Sequence, residues 1–447
     1  MRAAPDLSHR RILKIAVPVV LSNATVPILG AVDTGVVGQM GEAAPIAAVG
    51  AGAIVLTSVY WIFGFLRMGT TGMVAQALGA WDGREVVALL SRALLIAGAA
   101  GALLIVGQSA IFAAAFSVAP LADDVEGLAR GYMAIRIWSS PAAIAIYGLT
   151  GWLIAQERTG AVLVVQVGMN AVNMLLDIWF VLGLGWGVIG VAWATFLAEW
   201  SGLVLAVWFC RDAFAGSAWR DKASVFDAAR LRRMLTVNGD ILIRTLLLQA
   251  TFTSFLLMGG RFGTVALAAN QVLLQFLYIT AHALDGFAFA VEALVGRYFG
   301  AGDRGRLRRA VVMCTSWGAA MVMALALGFA AMGPWIVDLM ATAGPVQAAA
   351  RIYLPWMVAA PLVGLAAWML DGVFIGATRT RDMRNMMMVS FVAYLLALAA
   401  LVPLMGNHGL WAALMVSFVA RGVTLGTRYP ALERAASVGE QPRCRRA

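Results

Sequence analysis

The sequence predicts an all-α integral membrane protein with twelve transmembrane helices in two pseudo-symmetric six-helix lobes. Three observations predict it. The 447-residue chain is 62% hydrophobic and 13% charged, with mean hydropathy +0.84, far too apolar for a soluble domain of this length. Its apolar runs are about 20 residues long and lack the roughly ten-residue alternation of a membrane barrel, so the spans are helices, which satisfy their own backbone N–H and C=O groups in lipid. An internal repeat at a shift of about 221 residues divides the spans six and six.

The spans fall at about residues 13–38, 46–77, 88–117, 130–155, 161–184, 188–210, 236–260, 266–298, 308–332, 350–376, 386–405 and 409–427. Basic residues crowd alternate loops: Arg10, Arg11 and Lys14; Arg84 and Arg92; Arg158; Arg211, Arg220, Lys222, Arg230, Arg232 and Arg233; Arg304, Arg306, Arg308 and Arg309; Arg379, Arg381 and Arg384; and the C-terminal arginines. The opposite loops hold little beyond Arg130, Arg261 and Arg351. This bias places both termini in the cytoplasm and supports an even number of spans. The net charge of +10 is thereby explained by membrane topology, and no nucleic-acid partner is expected. Cys210, Cys314 and Cys444 have no paired spacing, which argues against a disulfide or zinc framework. The basic N-terminus leads into a span-length apolar run without a small-residue cleavage site, the pattern of a retained first helix rather than a removed signal.

The longest polar interruption bisects the chain, giving an N-terminal lobe at 1–210, a cytoplasmic linker at 211–235, a C-terminal lobe at 236–430 and a basic tail at 431–447. Four local matches recur in order across the halves. IAQERT at 154–159 pairs with IGATRT at 375–380, and GAWDG at 79–83 with GAGDRG at 300–305; GVAWA at 190–194 resembles GLWAA at 409–413, and Pro141 falls opposite Pro361. Because each half has an even number of spans, the repeats are parallel and related by an axis along the membrane normal, an architecture found in transporters.

Polar residues inside the spans mark candidate sites, since an ionised group at the bilayer centre costs about 3 kcal/mol on insertion scales. In the first span Asn23, Gly30, Asp33 and Thr34 share a helix face, and Pro27 frees the carbonyl of Asn23, making a hinge within two turns of the acid. In the fifth span Asn170, Asn173 and Asp177 form one polar stripe by spacings of three and four, read as an ion or proton site, with Thr195 and Thr150 as further hydroxyl ligands. Two carboxylates sharing a poorly hydrated cavity disfavour the second ionisation, which brings proton exchange toward physiological pH. The same oxygens suit sodium. In the second half Asp371, the repeat counterpart of Thr150, and the eighth-span residues Gln271, Gln275, His282, Asp285 and Glu292 are secondary candidates. Asp240 and Arg244, four apart, read as a local ion pair, and Glu199 has no clear role. Met and aromatic side chains lining a cleft would suit amphipathic cations. No phosphate-binding loop, HExxH or GxSxG is present, so neither an enzyme nor direct ATP-driven transport is expected, and no cofactor is implied.

The stretches VPILGAVDTGVVGQMG, FLRMGTTGMVAQALGAWDG, NMLLDIWF and LDGVFIGATRTRDMRN resemble the multidrug and toxic compound extrusion (MATE) family, specifically its DNA-damage-inducible protein F branch. The resemblance covers essentially all twelve spans. It implies two six-helix lobes around a central cavity, alternating access, and export of small organic, often cationic, compounds in exchange for protons or sodium. By the same resemblance Asp33 matches the first-span acid of the family's N-lobe site, Asn173 and Asp177 its fifth-span pair, and Thr195 its sixth-span threonine. A fourth-span asparagine of some members is Thr150 here, a departure that favours protons over sodium. Another branch uses a seventh-span acid, and this chain has Gln249 and Phe255 in that span instead. A monomeric antiporter in the inner (plasma) membrane is therefore expected. The competing expectation is a flippase of lipid-linked precursors in the same superfamily, which would favour a cationic cavity and for which Arg67 and Arg244 are the available charges.

Overall fold

The computed structural model describes residues 6–39 and 43–436, and among these it is helical throughout, without strands. The first half holds α1 (His9–Gly38), α2 (Ala43–Ile62), α3 (Phe65–Gly79), α4 (Gly83–Val106), α5 (Gln108–Val118), α6 (Asp123–Arg136), α7 (Ser140–Ala155), α8 (Thr159–Asp177) and α9 (Gly187–Phe209). Two single-turn helices, α10 (Arg211–Phe214) and α11 (Lys222–Val225), occupy the linker. The second half holds α12 (Ala228–Gly259), α13 (Thr264–Gly300), α14 (Arg304–Met340), α15 (Gly344–Gly376), α16 (Thr380–Met405) and α17 (Asn407–Ala435). Eleven helical stretches among the described residues are long and apolar enough to cross a membrane. The 30-residue α1, about 45 Å at 1.5 Å per residue, is the remaining expected span.

Most helices of the second half outrun the spans read from hydropathy, because apolarity marks only the part in hydrocarbon while the helix continues to its cap. The ninth span, expected at about 308–332, is part of Arg304–Met340. The second span is divided at residues 63–64 into α2 and α3, and the third at Gly107 into α4 and α5.

The repeated motifs are helix punctuation. Asp82 accepts a hydrogen bond from the N–H of Glu85 at 3.0 Å and starts α4; Asp303 accepts from the N–H of Arg306 at 2.9 Å and starts α14. Just before each cap the chain turns through the left-handed region, at Trp81 (φ 61°) and Gly302 (φ 70°). The other motif does the same at the ends of α7 and α15, where Glu157 (φ 63°) and Thr378 (φ 49°) are left-handed. There Arg158 N–H bonds the Leu153 carbonyl at 2.9 Å, and Arg379 N–H bonds that of Phe374 at 3.0 Å, the six-to-one bond that closes a helix C-terminus.

Glycines repeat the packing as well. A Cβ on Gly151 of α7 would lie 2.4 Å from the Arg67 carbonyl oxygen, and one on Gly372 of α15 would lie 2.9 Å from that of Ala288. Only glycine lets these helices approach so closely.

The chain divides into two compact units, one of Leu21–Val74 and Asp82–Arg233, the other of Met1–Val20, Ala75–Trp81 and Met234–Ala447. In the first, Leu56, Tyr60, Tyr132, Met133, Ile137 and Val191 belong to the core. In the second, the core gathers around Phe255, Phe276, Phe329 and Trp411, with Phe255 and Trp411 ring centroids 4.6 Å apart. There Asn270 and Asn407 exchange two amide hydrogen bonds at 2.8 and 3.0 Å, and Trp411 Nε1 donates to Asn270 at 2.9 Å. The buried amides are thus satisfied within their own helices' interface.

Candidate ion and substrate site

The fifth-span stripe faces inward. Asn170 and Asn173 are each 2% exposed and Asp177 is 0% exposed, although α8 as a whole is amphipathic and membrane-length with its following turn. Asn170 accepts from Gln166 Nε2 at 3.0 Å and donates through Nδ2 to Thr25 Oγ1 of α1 at 2.9 Å. Thr25 in turn donates to the Ser22 carbonyl at 2.7 Å. One turn further along, Asn173 Nδ2 donates to Thr195 Oγ1 of α9 at 3.2 Å, and Thr195 donates to the Val191 carbonyl at 3.0 Å. The stripe therefore joins α1, α8 and α9.

Asn173 Oδ1 is buried and, among the described residues, accepts no hydrogen bond; it lies one helical turn before the Asp177 carboxylate. Immediately after Asp177 the chain forms a π-type turn over Ile178–Gly183, a wider helical winding that tends to occur at functional positions. Periodicity alone did not reveal that turn. Thr25, a residue of ordinary appearance in the first span, was likewise not singled out.

Asp33 and Pro27 lie in the helical backbone of α1, but their side chains fall outside the described residues. Thr150 donates to the carbonyls of Ile146 and, at 3.1 Å, Tyr147, so its hydroxyl hydrogen is held by its own helix. No described bond joins it to the stripe.

Glu199, undecided from sequence, pairs with Arg136 at 2.7 Å. Arg136 also donates to Tyr132 OH at 2.8 Å, while its carbonyl accepts from Tyr60 OH at 3.0 Å. Arg136 was overlooked because it stands near the start of a span, where a base reads as a loop residue; the buried acid Glu199 was the signal that a cation had to be close.

In the second half, the expected Asp240–Arg244 pair does not form. Asp240 instead accepts from Arg384 Nη1 at 2.6 Å and from Thr380 Oγ1 at 3.1 Å. Arg244 pairs with Asp371, and Arg421 Nη1 lies 3.8 Å from the same carboxylate. Spacing of four makes a pair possible, but partners on α15 and α16 offer better-buried geometry. Asp371 is thus set between two arginines, a cluster of net charge +1. Arg421 was not identified from sequence.

Along α13, Gln271 and Gln275 are exposed and His282 and Asp285 half-buried, whereas Glu292 is buried. The glutamine, histidine and aspartate positions recur at helical spacing, so a polar face persists along a membrane-length helix. Such a face is poorly suited to lipid and well suited to water or solute.

Comparison with known proteins places these features in a family context. The MatE family model matches residues 18–179 and again residues 241–401, one match in each half. The chain is similar to DNA damage-inducible protein F of Escherichia coli (strain K12), at 36% identity over 427 residues, covering 94% of this chain and 91% of the relative. A probable multidrug resistance protein NorM of Bradyrhizobium diazoefficiens is 27% identical over 378 residues, covering 81% of this chain and 78% of that protein. Among solved structures, the Vibrio cholerae MATE transporter VcmN in its bent form superposes with TM-score 0.86 at 18% identity, covering 96% of this chain and 97% of the other. A Pyrococcus furiosus MOP superfamily transporter, described as having a binding pocket of reverse polarity, gives TM-score 0.82 at 16% identity and 96% coverage of both chains. At these identities the two superpositions establish the fold.

Proposed function

The chain belongs to the MatE family of membrane transporters, and from that premise we propose that it is a secondary antiporter of the inner membrane. It exports organic, cationic or amphipathic compounds in exchange for protons or sodium. The reading keeps the two six-helix lobes, the linker at 211–235 and cytoplasmic termini. The observation that carries it is the buried stripe on α8, in which Asn173 Oδ1 has no hydrogen-bond donor among the described residues one turn from Asp177, and Asn170 holds α1 through Thr25.

A cation arriving at Asp177 neutralises a buried carboxylate, Asp33 is its partner by the sequence reading, and the hydrogen bond from Asn170 couples that event to α1, the helix that carries Asp33 and Pro27. Bending of α1 then shifts the balance between inward and outward forms. The ion shifts this balance only by its differential affinity for the two states. A potential of 100 mV supplies about 2.3 kcal/mol per charge moved, which sustains export against a roughly fiftyfold gradient at about 1.4 kcal/mol per tenfold. The polar face of α13 supplies contacts for the exported compound.

Proteoliposomes loaded with a cationic dye test the proposal under separate proton and sodium gradients. Efflux driven by one of them, and lost in Asp33→Asn and Asp177→Asn at normal expression, is the expected result. Undiminished efflux in Asp177→Asn refutes it. One observation favours a second reading: the net positive Arg244–Asp371–Arg421 cluster would suit an anionic group, as a lipid-linked-precursor flippase requires. Movement of such a precursor across the bilayer without dye efflux would select that reading.

A further inference from the structure

A cleft of about 510 Å³ lies between α4 and the linker that carries α10 and α11. Its walls are apolar, formed chiefly by Leu94, Leu95, Phe214, Trp219 and Phe226, while Arg220 and Lys222 stand at the linker side. We propose that this cleft binds one acidic phospholipid of the membrane leaflet on the basic-loop side, with an acyl chain between α4 and the linker and the headgroup at Arg220 and Lys222.

Depth fits this occupant. Leu94 and Leu95 stand roughly 16–18 Å along α4 from its start at Gly83, at 1.5 Å per residue, so the cleft reaches from the basic linker to hydrocarbon depth in a membrane-length helix. The apolar rim is open, with Leu95 51% and Phe226 60% exposed, surface that an acyl chain would cover with close contacts.

The cleft is also built rather than accidental. Arg92, fully buried, donates through Nε to the Val225 carbonyl at 2.8 Å and also to the Ser224 carbonyl, while Nη1 holds Glu85 at 2.8 Å. Ser91 Oγ donates to the Trp219 carbonyl at 3.3 Å. Two successive residues of α4 therefore clamp the linker in place.

Charge selects an acidic lipid over a neutral one. The acids on this surface are engaged: Asp221, between the two bases, accepts from Ser224 Oγ at 2.7 Å and from the Ala223 N–H at 3.1 Å, Asp227 accepts from the Arg230 N–H at 2.9 Å, Asp212 pairs with Arg158 at 3.3 Å, and Glu85 pairs with both Arg92 and Arg230. Among the described residues neither Arg220 nor Lys222 has an ion-pair partner; Arg220 lies over the Trp219 ring, 4.3 Å from its centroid. A basic cluster beside a membrane helix is the pattern that attracts anionic headgroups.

The test uses the full chain purified in detergent and equilibrated with equimolar phosphatidylglycerol and phosphatidylcholine, with bound lipid counted by native mass spectrometry. The readout is binding, so it stands apart from whether the protein exports any solute. Wild-type protein should retain phosphatidylglycerol preferentially. Arg220→Gln with Lys222→Gln should reduce that preference by about 25-fold, roughly fivefold per charge, and Arg220→Lys should restore most of it to a Lys222-bearing protein. Leu95→Trp, which fills the cleft, should lower retention of both lipids. Variants are compared only after eluting as monodisperse peaks. An unchanged preference in the double variant overturns the proposal. So does an equal loss in Arg309→Gln, an exposed base that does not line the cleft, or displacement of lipid by glycerol phosphate alone.

Discussion

Removing Asp371 should damage the protein far more than removing Arg244, although the two form one ion pair. Their side chains are 6% and 8% exposed, and Arg421, at 3%, shares the same carboxylate at 3.8 Å. In Asp371→Leu both guanidinium groups lose their counter-charge at once and face each other in a water-poor interior. Breaking a buried pair by deleting one partner costs about 3–5 kcal/mol, and here two cations are stranded rather than one. In Arg244→Met the carboxylate keeps Arg421 and the cluster becomes neutral, so the loss is one interaction and its hydrogen bond, about 1–3 kcal/mol. The double variant Asp371→Leu with Arg244→Met strands Arg421 alone and should fall between the two. Thermal unfolding of detergent-purified protein, followed by the loss of the monodisperse peak on size exclusion, ranks the three. A thermal midpoint for Asp371→Leu equal to or above that of Arg244→Met would refute the view that this carboxylate neutralises two arginines.

Three further outcomes follow from particular residues. Trp81→Gly should stabilise the α3–α4 turn by about 1 kcal/mol, because Trp81 holds φ 61° at an exposed position while its counterpart Gly302 does so without steric cost; a lower thermal midpoint contradicts this. Gly151→Ala and Gly372→Ala should each lower stability by about 1–3 kcal/mol through backbone collision, the former at least as severely since its nearest obstacle is a carbonyl oxygen at 2.4 Å. Burial raises the Cys210 thiol, just past the end of α9, to about 12, so it stays protonated and unreactive at pH 8, where an ordinary cysteine with a value near 8.5 is partly thiolate; maleimide labelling of Cys210 in native protein at pH 8, read by peptide mass spectrometry, should be negligible and appear on unfolding.

What was legible in the sequence is what is decided locally. GAWDG and GAGDRG were legible as a repeated local motif, and the structure shows what the motif does: in each the aspartate caps the helix that follows, α4 or α14, with no reference to anything distant. The α8 stripe was equally readable, because spacings of three and four fix a face whatever packs against it. What packs against it was not. That Asn170 reaches Thr25 across 145 positions, or that Glu199 answers Arg136 from 63 away, depends on how helices are arranged. Asp240 and Arg244 show the limit plainly: four residues apart on one helix, they satisfy every local rule for a pair, yet each finds a partner on another helix.

The two halves share a backbone plan and differ in chemistry, which bears on how the site arose within the repeat. Gly151 meets the carbonyl of Arg67 as Gly372 meets that of Ala288, so the same helix crossing is built twice. Beside those glycines stand Thr150 and Asp371. The threonine satisfies itself on its own helix. The aspartate has no such local option and is buried only in company with Arg244 and Arg421. A single change of residue at a repeated position therefore requires charged neighbours on α12 and α17 that the first half does not need at its own position. The first half gathers amide and carboxylate oxygens on α8, whereas the second gathers guanidinium groups around one carboxylate. Under the proposed function the small cation accordingly belongs to the first half, where Asn173 lies one helical turn before Asp177, while in the second half two arginines hold one carboxylate in place.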